Sequence, residues 1–446
     1  MHSLIDPTIL RGYGATQTLF EELCAKHSGN TSLFFKTDYG EGNTVFFKKA
    51  AAYFKRWKDE LLLFWMYVPG AKIHLKYKSK NVVMLRLDMI GDCTMFTSTA
   101  KALREHYADS EMTMVCMAAC RAVYERLGVF DRIITFDFKP HEIDYKKLKK
   151  LIRELRVERY DILLQPQASK MPFADILAAA IKCNRRIAIE TKVGNSPEKW
   201  VNMVNFLYDE FIPYPRGNVS EFDYYGAFAR GICGPDFRTT KPRLNYEKQH
   251  FLEGRYAILF PGGTHRQKFW SAEHYAKIAD HIYEQTGFLI VLLGVPSESW
   301  VMESIRKNVK SQTAMSVIDL LGRTSVADMI DIIGNAELVV SNDTSGVHIA
   351  CATNTPSIAI AGGWHYKRFL PYHIENVMPG DHLPLVAYTE MSCYYCDWNW
   401  DNIEKVNAKC LERMKIGETS ECIDRVTYEQ VEKLVDQVLQ DCVYES

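Results

Sequence analysis

From Asn81 onward, short apolar runs alternate with segments of helical period. The run Val82-Val83-Met84-Leu85-Arg86-Leu87 reads as a strand, 88–92 as a turn and 93–107 as a helix. Further strands are expected at 112–117, 132–136, 160–164 and 186–189, with helices at 146–155 and 173–181. Residues 202–232 read as largely helical, and Pro235 and Pro242 break the periodicity in a hinge between Gly234 and Gly254. The second half repeats the pattern. Strands are expected at 256–260, 288–293, 338–340 and 357–361, the last being the final buried strand, with helices at 272–286 and from about 324 to 335. Such alternation predicts an α/β fold with parallel sheets covered on both faces. Two doubly wound halves facing a cleft would present their strand C-terminal ends, where ligands bind, at its opening.

The remaining segments fall outside this pattern. The expected division is an N-terminal extension (1–80), a first Rossmann-like domain (81–245), a second (246–385), and a Cys-rich tail with a closing helix (386–446). In the extension, 46–68 is basic and aromatic and fits a helix with one apolar face. It suits either an anionic membrane surface or packing on the main body, and Asp59 and Glu60 interrupt its basic side. The formal net charge of −1 argues against nucleic acid as a partner. No apolar run is long enough for a bilayer span and the first residues lack a signal-peptide pattern, so a cytoplasmic location is expected, with peripheral membrane contact left open. Twelve cysteines in that compartment should be mostly small buried side chains.

Candidate chemistry sits at the strand exits. After 338–340 comes Ser341-Asn342-Asp343-Thr344-Ser345-Gly346, then a helix with His348 on its first turn. Strand, small polar turn and helix N-terminus form a phosphate site, because the first N–H groups of a helix have no partner within it. Asp343 adds a carboxylate suited to sugar hydroxyls; the plain alternative is a loop capped by Asn342 or Asp343. Gly263 and Thr264 offer backbone and hydroxyl donors, Lys268 a positive charge for a diphosphate leaving group, and Glu298 an acceptor for ribose hydroxyls. In the first half, Gly91 allows a sharp turn and Asp92 could take a proton from an acceptor hydroxyl, its plain alternative being a helix cap. Cys393 and Cys396, with Cys410 and Cys422, supply four thiolates of the kind that hold structural zinc or iron, the alternative being packed thiols.

The segments RLDMIGDCTMFTSTAKALRE, FPGGTHRQKFWSAEHYAKIA and LLGRTSVADMIDIIGNAELVVSNDTSGVHIA, followed by the Cys-rich tail, resemble glycosyltransferase family 9, the heptosyltransferases of bacterial surface polysaccharides. The resemblance runs from about Asn81 to the C-terminus. It implies a GT-B fold and an inverting, metal-independent transfer of heptose, usually from ADP-heptose, to a glycan or glycolipid acceptor such as lipopolysaccharide core. Residue by residue, it implies Asp92 as base, Lys268 and Thr264 on the donor diphosphate, and Asp343 on the donor sugar. Thr344 with Ser345 and Gly346 would form the phosphate turn, Glu298 would meet ribose, and His348 is the family's motif histidine. The chain departs from the family at Ser345-Gly346 and at Gly362-Gly363-Trp364. Some protein-modifying relatives carry iron on a cysteine cluster and form rings, so a protein acceptor and an oligomer stay open here. A sugar-nucleotide epimerase and a non-catalytic nucleotide-sugar binding protein are the rival readings.

Overall fold

The computed structural model describes residues 58–68, 81–137, 144–192, 195–217, 219–248, 252–396, 410 and 419–444. They belong to two compact units, 1–61 and 62–446. Most of the basic-aromatic segment, and Cys24, lie outside the described residues. Residues 58–67 are helical (α1). No helix among the described residues is long and apolar enough to cross a membrane.

The larger unit contains two six-stranded sheets, parallel throughout. The first is built from β1 (Asn81–Leu85), β2 (Glu111–Met117), β3 (Arg132–Phe136), β4 (Tyr160–Gln165), β5 (Cys183–Ile189) and β6 (Glu210–Ile212). Its order is β3-β2-β1-β4-β5-β6. Between the strands run α2 (Ile90–Met95), α3 (Thr97–His106), α4 (Arg121–Leu127), α5 (Tyr145–Leu155), α6 (Pro172–Ala180) and α7 (Glu198–Val204), and α8 (Glu221–Cys233) follows. The second sheet comprises β7 (Tyr256–Phe260), β8 (Leu289–Leu292), β9 (Val317–Asp319), β10 (Leu338–Asn342), β11 (Ser357–Ile360) and β12 (Leu385–Ala387), ordered β12-β11-β10-β7-β8-β9. Its main helices are α9 (Ala272–Thr286), α10 (Ser299–Asn308), α11 (Ser311–Ala314), α12 (Val326–Gly334) and α13 (Ser345–Thr353), with α14 (Glu421–Asp424) and α15 (Tyr428–Tyr444) closing the chain.

Both sheets therefore share one strand order, and each reverses direction between its first and fourth strands. Ligands collect at such a switch point because the flanking loops part there. The strands read as near-continuous apolar runs because both faces are covered: β7 and β10 are buried at every position. One continuous apolar core runs from Val82 and Met114 in the first lobe through Phe260 and Ile349 in the second.

One expectation is corrected and two gain detail. Residues 202–232 are largely helical, but β6 interrupts them, since a short apolar run such as Phe211-Ile212 carries no period. A further strand follows 357–361: β12, only partly buried, pairs parallel with β11. Asp92 lies inside α2 rather than in a turn before a helix, and the helix breaks at Phe96, where the Thr94 hydroxyl bonds back to the Ile90 carbonyl at 2.8 Å.

Candidate active site

The β10–α13 junction is built from residues with separate tasks. Asn342 is fully buried and braces the sheet. Its Oδ1 accepts from the Tyr275 hydroxyl at 2.9 Å, and its Nδ2 donates to the Pro261 and Gly262 carbonyls. Thr344 is the N-cap residue of α13, and no side chain caps the helix. Capping by Asn342 or Asp343 is thereby ruled out, and the N–H groups of the first turn stay available to an anion. Gly346 is required by packing, since a Cβ there would stand 2.9 Å from Phe260 Cγ. Gly263, at the β7 exit, lies against this turn, where a Cβ would meet Thr344 Cγ2 at 3.0 Å. Thr264 next to it is exposed.

Lys268 reaches the same junction. Its Nζ donates to the Asp343 carbonyl at 2.9 Å and to the Asp343 carboxylate at 3.3 Å, and stands 4.4 Å from the centre of the Trp364 ring. Trp364 stacks on His365 at 3.4 Å. Burial, followed by Arg368, Lys268, Lys192 and His265, pushes His365 well below the usual histidine range. His348 is held near a pKa of about 4, chiefly by burial, and is neutral at physiological pH. Its Nδ1 bonds to the Tyr372 hydroxyl at 2.7 Å, and its Nε2 stands 3.9 Å from Asp343 Oδ1. The hydrogen bond to Tyr372 fixes the orientation of the ring, with Nε2 turned toward the Asp343 carboxylate.

Glu298 is committed to backbone. One carboxylate oxygen accepts the Gly263 N–H at 2.7 Å, the other the Val295 N–H at 2.9 Å. Gly262 and Gly294 make room for it, since a Cβ at either would come within 2.5 Å of its carboxyl group. Glu298 therefore ties the β7 and β8 exits together.

On the opposite wall, Gly91 of α2 touches α13 directly: a Cβ at 91 would lie 2.9 Å from His348 Cδ2. Asp92 is the next residue. It occupies the third position of α2, whose N-cap is Met89, and no side chain caps that helix either. Burial raises its pKa to about 7, with Asp88 and Glu221 adding to the rise and Arg86 and Arg368 opposing it. Arg86 is buried at 1% exposure, donates to the Tyr225 hydroxyl at 2.8 Å and pairs with Asp88 at 2.7 Å.

The structure thus brings His348, Asp343, Lys268, Thr344, Gly263 and Glu298 into one chain of contacts, and it sets Gly91, the residue before Asp92, against His348 from the other lobe. It also adds groups that the motifs missed. A lone arginine in the apolar run of β1 was a signal for Arg86, because a buried charge needs a partner. Nothing local marked Glu221, Arg368 or Tyr372. They meet because the segment between β11 and β12 crosses to the first lobe. There Arg368 pairs with Glu221 at 2.6 Å and His373 with Asp223 at 2.8 Å, while the Tyr372 ring lies 4.7 Å from that of Phe222.

The tail packs beneath the loops that carry Gln267 and Gly363. Gly363 N–H donates to Cys422 Sγ at 3.3 Å, Ser420 N–H to the Gln267 carbonyl at 3.1 Å, and the Thr419 hydroxyl to the Phe269 carbonyl at 3.1 Å. Burial pushes the Cys422 thiol up to about 11, and Cys410, Cys396 and Cys393 are near enough to add to that rise. Among the described residues, no group of three or more His, Cys, Asp or Glu side chains is arranged to hold a metal ion.

Known proteins bear on this arrangement. The chain is 26% identical to lipooligosaccharide heptosyltransferase 2 of Haemophilus influenzae over 300 residues, which cover 63% of this chain and 83% of that protein. It is 22% identical to the lipopolysaccharide core heptosyltransferase OpsX of the same species, over 67% of this chain and 84% of the relative. Among solved structures, the family 9 glycosyl transferase of Veillonella parvula superimposes with a TM-score of 0.63 at 17% identity, covering 83% of this chain and 99% of that one. Escherichia coli ADP-heptose lps heptosyltransferase II gives 0.58 at 17% identity, covering 81% and 99%. These neighbours share the GT-B arrangement of two Rossmann-like lobes. The model of glycosyltransferase family 9 (heptosyltransferase) matches residues 148–395, more than half of the chain. With that match, the chain belongs to glycosyltransferase family 9 and is a glycosyltransferase.

Proposed function

We propose that this enzyme transfers a heptose from ADP-heptose to a lipopolysaccharide-core type acceptor, with inversion and without a catalytic metal. In this reading 81–245 is the acceptor domain and 246–385 the donor domain. Asp92 takes the proton of the acceptor hydroxyl as that oxygen attacks the anomeric carbon and the bond to the diphosphate breaks. The departing charge is met by Lys268, Thr264 and the first N–H groups of α13. A carboxylate with a pKa of about 7 is well matched to this task near neutrality. Asp343 orients the donor sugar, with His348 and Lys268 holding it in place. Glu298 shapes the diphosphate loop and offers its remaining lone pairs to ribose.

The observation that supports the proposal most is the close approach of Gly91 to His348 and Ser345, which sets the residue before Asp92 against the start of α13. The names of the relatives, lipooligosaccharide and lipopolysaccharide heptosyltransferases, support heptose and the lipid-linked acceptor. Removing one charge-directed contact in a closed site costs on the order of 2.7–4 kcal/mol of transition-state stabilisation. Asp92→Ala and Lys268→Ala should therefore each lower turnover at least a hundredfold, read as nucleotide release with acceptor present, while the fold survives. Near-normal turnover in the Asp92 variant would remove the base from the mechanism. Nucleotide released only with acceptor, and no isomerised donor, would exclude the epimerase and binding-protein alternatives.

Two further parts belong to the proposal. The enzyme works on the cytoplasmic side of the inner membrane, in peripheral contact with it. Cys393, Cys396, Cys410 and Cys422 suit zinc or iron by their thiolate chemistry, and a metal there would stiffen the tail beneath the Gln267 and Gly363 loops. Metal analysis of freshly purified protein tests it: absence of both metals removes that part.

A further inference from the structure

Several segments of the first lobe meet around one buried carboxylate that takes no part in the proposed transfer. Asp175 lies on the first turn of α6 and is fully buried. Its Oδ2 accepts from Trp200 Nε1 at 2.8 Å and its Oδ1 from the Tyr208 hydroxyl at 2.6 Å. Lys170 Nζ stands 2.7 Å from Oδ1 and 4.1 Å from the centre of the Tyr208 ring, and Lys170 is fully buried as well. Trp200 belongs to α7, Tyr208 precedes β6, and Lys170 sits in the loop between β4 and α6. Apolar side chains of similar volume would usually fill such a space with no less stability, because desolvation of the two charges offsets most of their attraction. Directed bonds add position: each donor fixes where its own segment stands.

The loop so held, 166–171, stands at the switch point of the first sheet, since β4 pairs with β1. Its backbone is tied down: the Ala168, Ser169 and Lys170 carbonyls accept from Lys192 N–H, Asn195 Nδ2 and the Ser196 hydroxyl, each at 2.8 Å. Its polar side chains reach the surroundings of the base. Gln167 Nε2 donates to the Asp88 carboxylate, and its Oε1 accepts the Leu87 N–H at 3.3 Å. The Ser169 hydroxyl accepts from Arg368 at 3.3 Å. Asp88 and Arg368 are two of the charges felt by Asp92, so the loop borders the place to which an acceptor hydroxyl must come.

The outer side of the cluster is closed by α1. Phe64 is fully buried and meets the Trp200 ring edge-on at 5.5 Å. Three residues on, the Tyr67 ring lies 5.3 Å from the Arg156 guanidinium, whose Nε donates to the Ala180 carbonyl at the end of α6 at 3.0 Å. Residues 62–67 thus brace the helix that bears Trp200 and, through Arg156, the helix that bears Asp175. They precede the residues matched by the family model. We propose that the Asp175 cluster is the positioning device of the acceptor site: it fixes the 166–171 loop beside Asp88 and Arg368, and Phe64 of the N-terminal extension holds Trp200 in place for it. The inference rests on the reading of 81–245 as the acceptor domain.

The test uses two variants of the full chain: Trp200→Phe, which deletes the N–H to Asp175, and Phe64→Ala, which uncovers Trp200. Phe64→Leu keeps most of the packing and serves as the conservative partner. Loss of one hydrogen bond to a charged group should let the amides of the 166–171 loop exchange with deuterium roughly tenfold faster, while those of α13 stay unchanged. Misplacing that wall by up to about 1 Å should raise the acceptor KM on the order of tenfold, with kcat and ADP affinity nearly unchanged. Phe64→Leu should recover most of both effects. Unaltered loop exchange, or an unaltered acceptor KM, in both Trp200→Phe and Phe64→Ala overturns the proposal. So does a lowered unfolding midpoint with equally faster exchange throughout the chain, because the cluster would then serve stability alone. Exchange needs no acceptor. It decides the inference even where the wild-type enzyme releases no nucleotide with core acceptors, a result that would count against the proposed function instead.

Discussion

Replacing Gly91 by alanine sets local preference against tertiary fit. Within a helix, alanine is favoured over glycine by up to about 1 kcal/mol, so α2 considered alone would gain. In the folded enzyme the new Cβ would stand 2.9 Å from His348 Cδ2 and 3.6 Å from Ser345 Cα. Carbon atoms rest at about 3.5–4.0 Å, so one wall must retreat by roughly 0.6 Å or more. His348 has little room to move: it is 5% exposed, bonded to the Tyr372 hydroxyl at 2.7 Å and stacked on that ring at 5°. The displacement therefore falls on the α2–α13 contact and carries Asp92 away from the donor turn. Misplacing reacting groups by about 1 Å can cost on the order of a hundredfold. We expect kcat to fall ten- to a hundredfold while ADP affinity, which the proposed function assigns to the second lobe, changes little. Steady-state kinetics with calorimetric ADP titration measures both. A double-mutant cycle isolates the cause, because in a His348→Ala background the same substitution should cost much less. Wild-type turnover in Gly91→Ala, or an equal loss in both backgrounds, would refute the steric reasoning.

Other outcomes follow from the same contacts. With Asp92 raised to about 7, kcat/KM should climb as pH rises to that value and then level off. The same shift acts on stability. The folded state holds this proton more tightly than the unfolded chain, so the cost of the buried charge is absent below the ordinary carboxylate range and grows as pH rises to about 7. Asp92→Asn should therefore raise the unfolding midpoint at pH 8 and leave it nearly unchanged at pH 4, which calorimetry can follow. Arg86→Met removes a cation that lowers the Asp92 pKa and strands Asp88, so the rate profile should move to higher pH and stability should fall by about 3–5 kcal/mol in denaturant titration. Tyr372→Phe deletes one buried hydrogen bond, worth about 1 kcal/mol of stability. Because it frees the His348 ring, it should also alter the imidazole nitrogen shifts in NMR and raise the donor KM. Trp364→Ala removes the ring beneath Lys268 and should weaken ADP binding by about 0.5–2 kcal/mol.

Much of the fold was legible in the linear chain because the physics there is local. A buried parallel strand announces itself as an unbroken apolar run, as in Leu338-Val339-Val340, and a helix start follows within a few residues. Alternation of the two periods was enough to imply paired Rossmann-like lobes, and the small polar residues at strand exits pointed to phosphate. Short edge strands escaped notice: β6, β9 and β12 have three residues each, too few to display a period. The setting of the base was decided by tertiary structure alone. Glu221 and Arg368 act on Asp92 from distant parts of the chain, and the segment between β11 and β12 brings Tyr372 onto His348 as it crosses to the first lobe. Burial and through-space charge depend on which surfaces meet, and residue order encodes that meeting only through the whole fold.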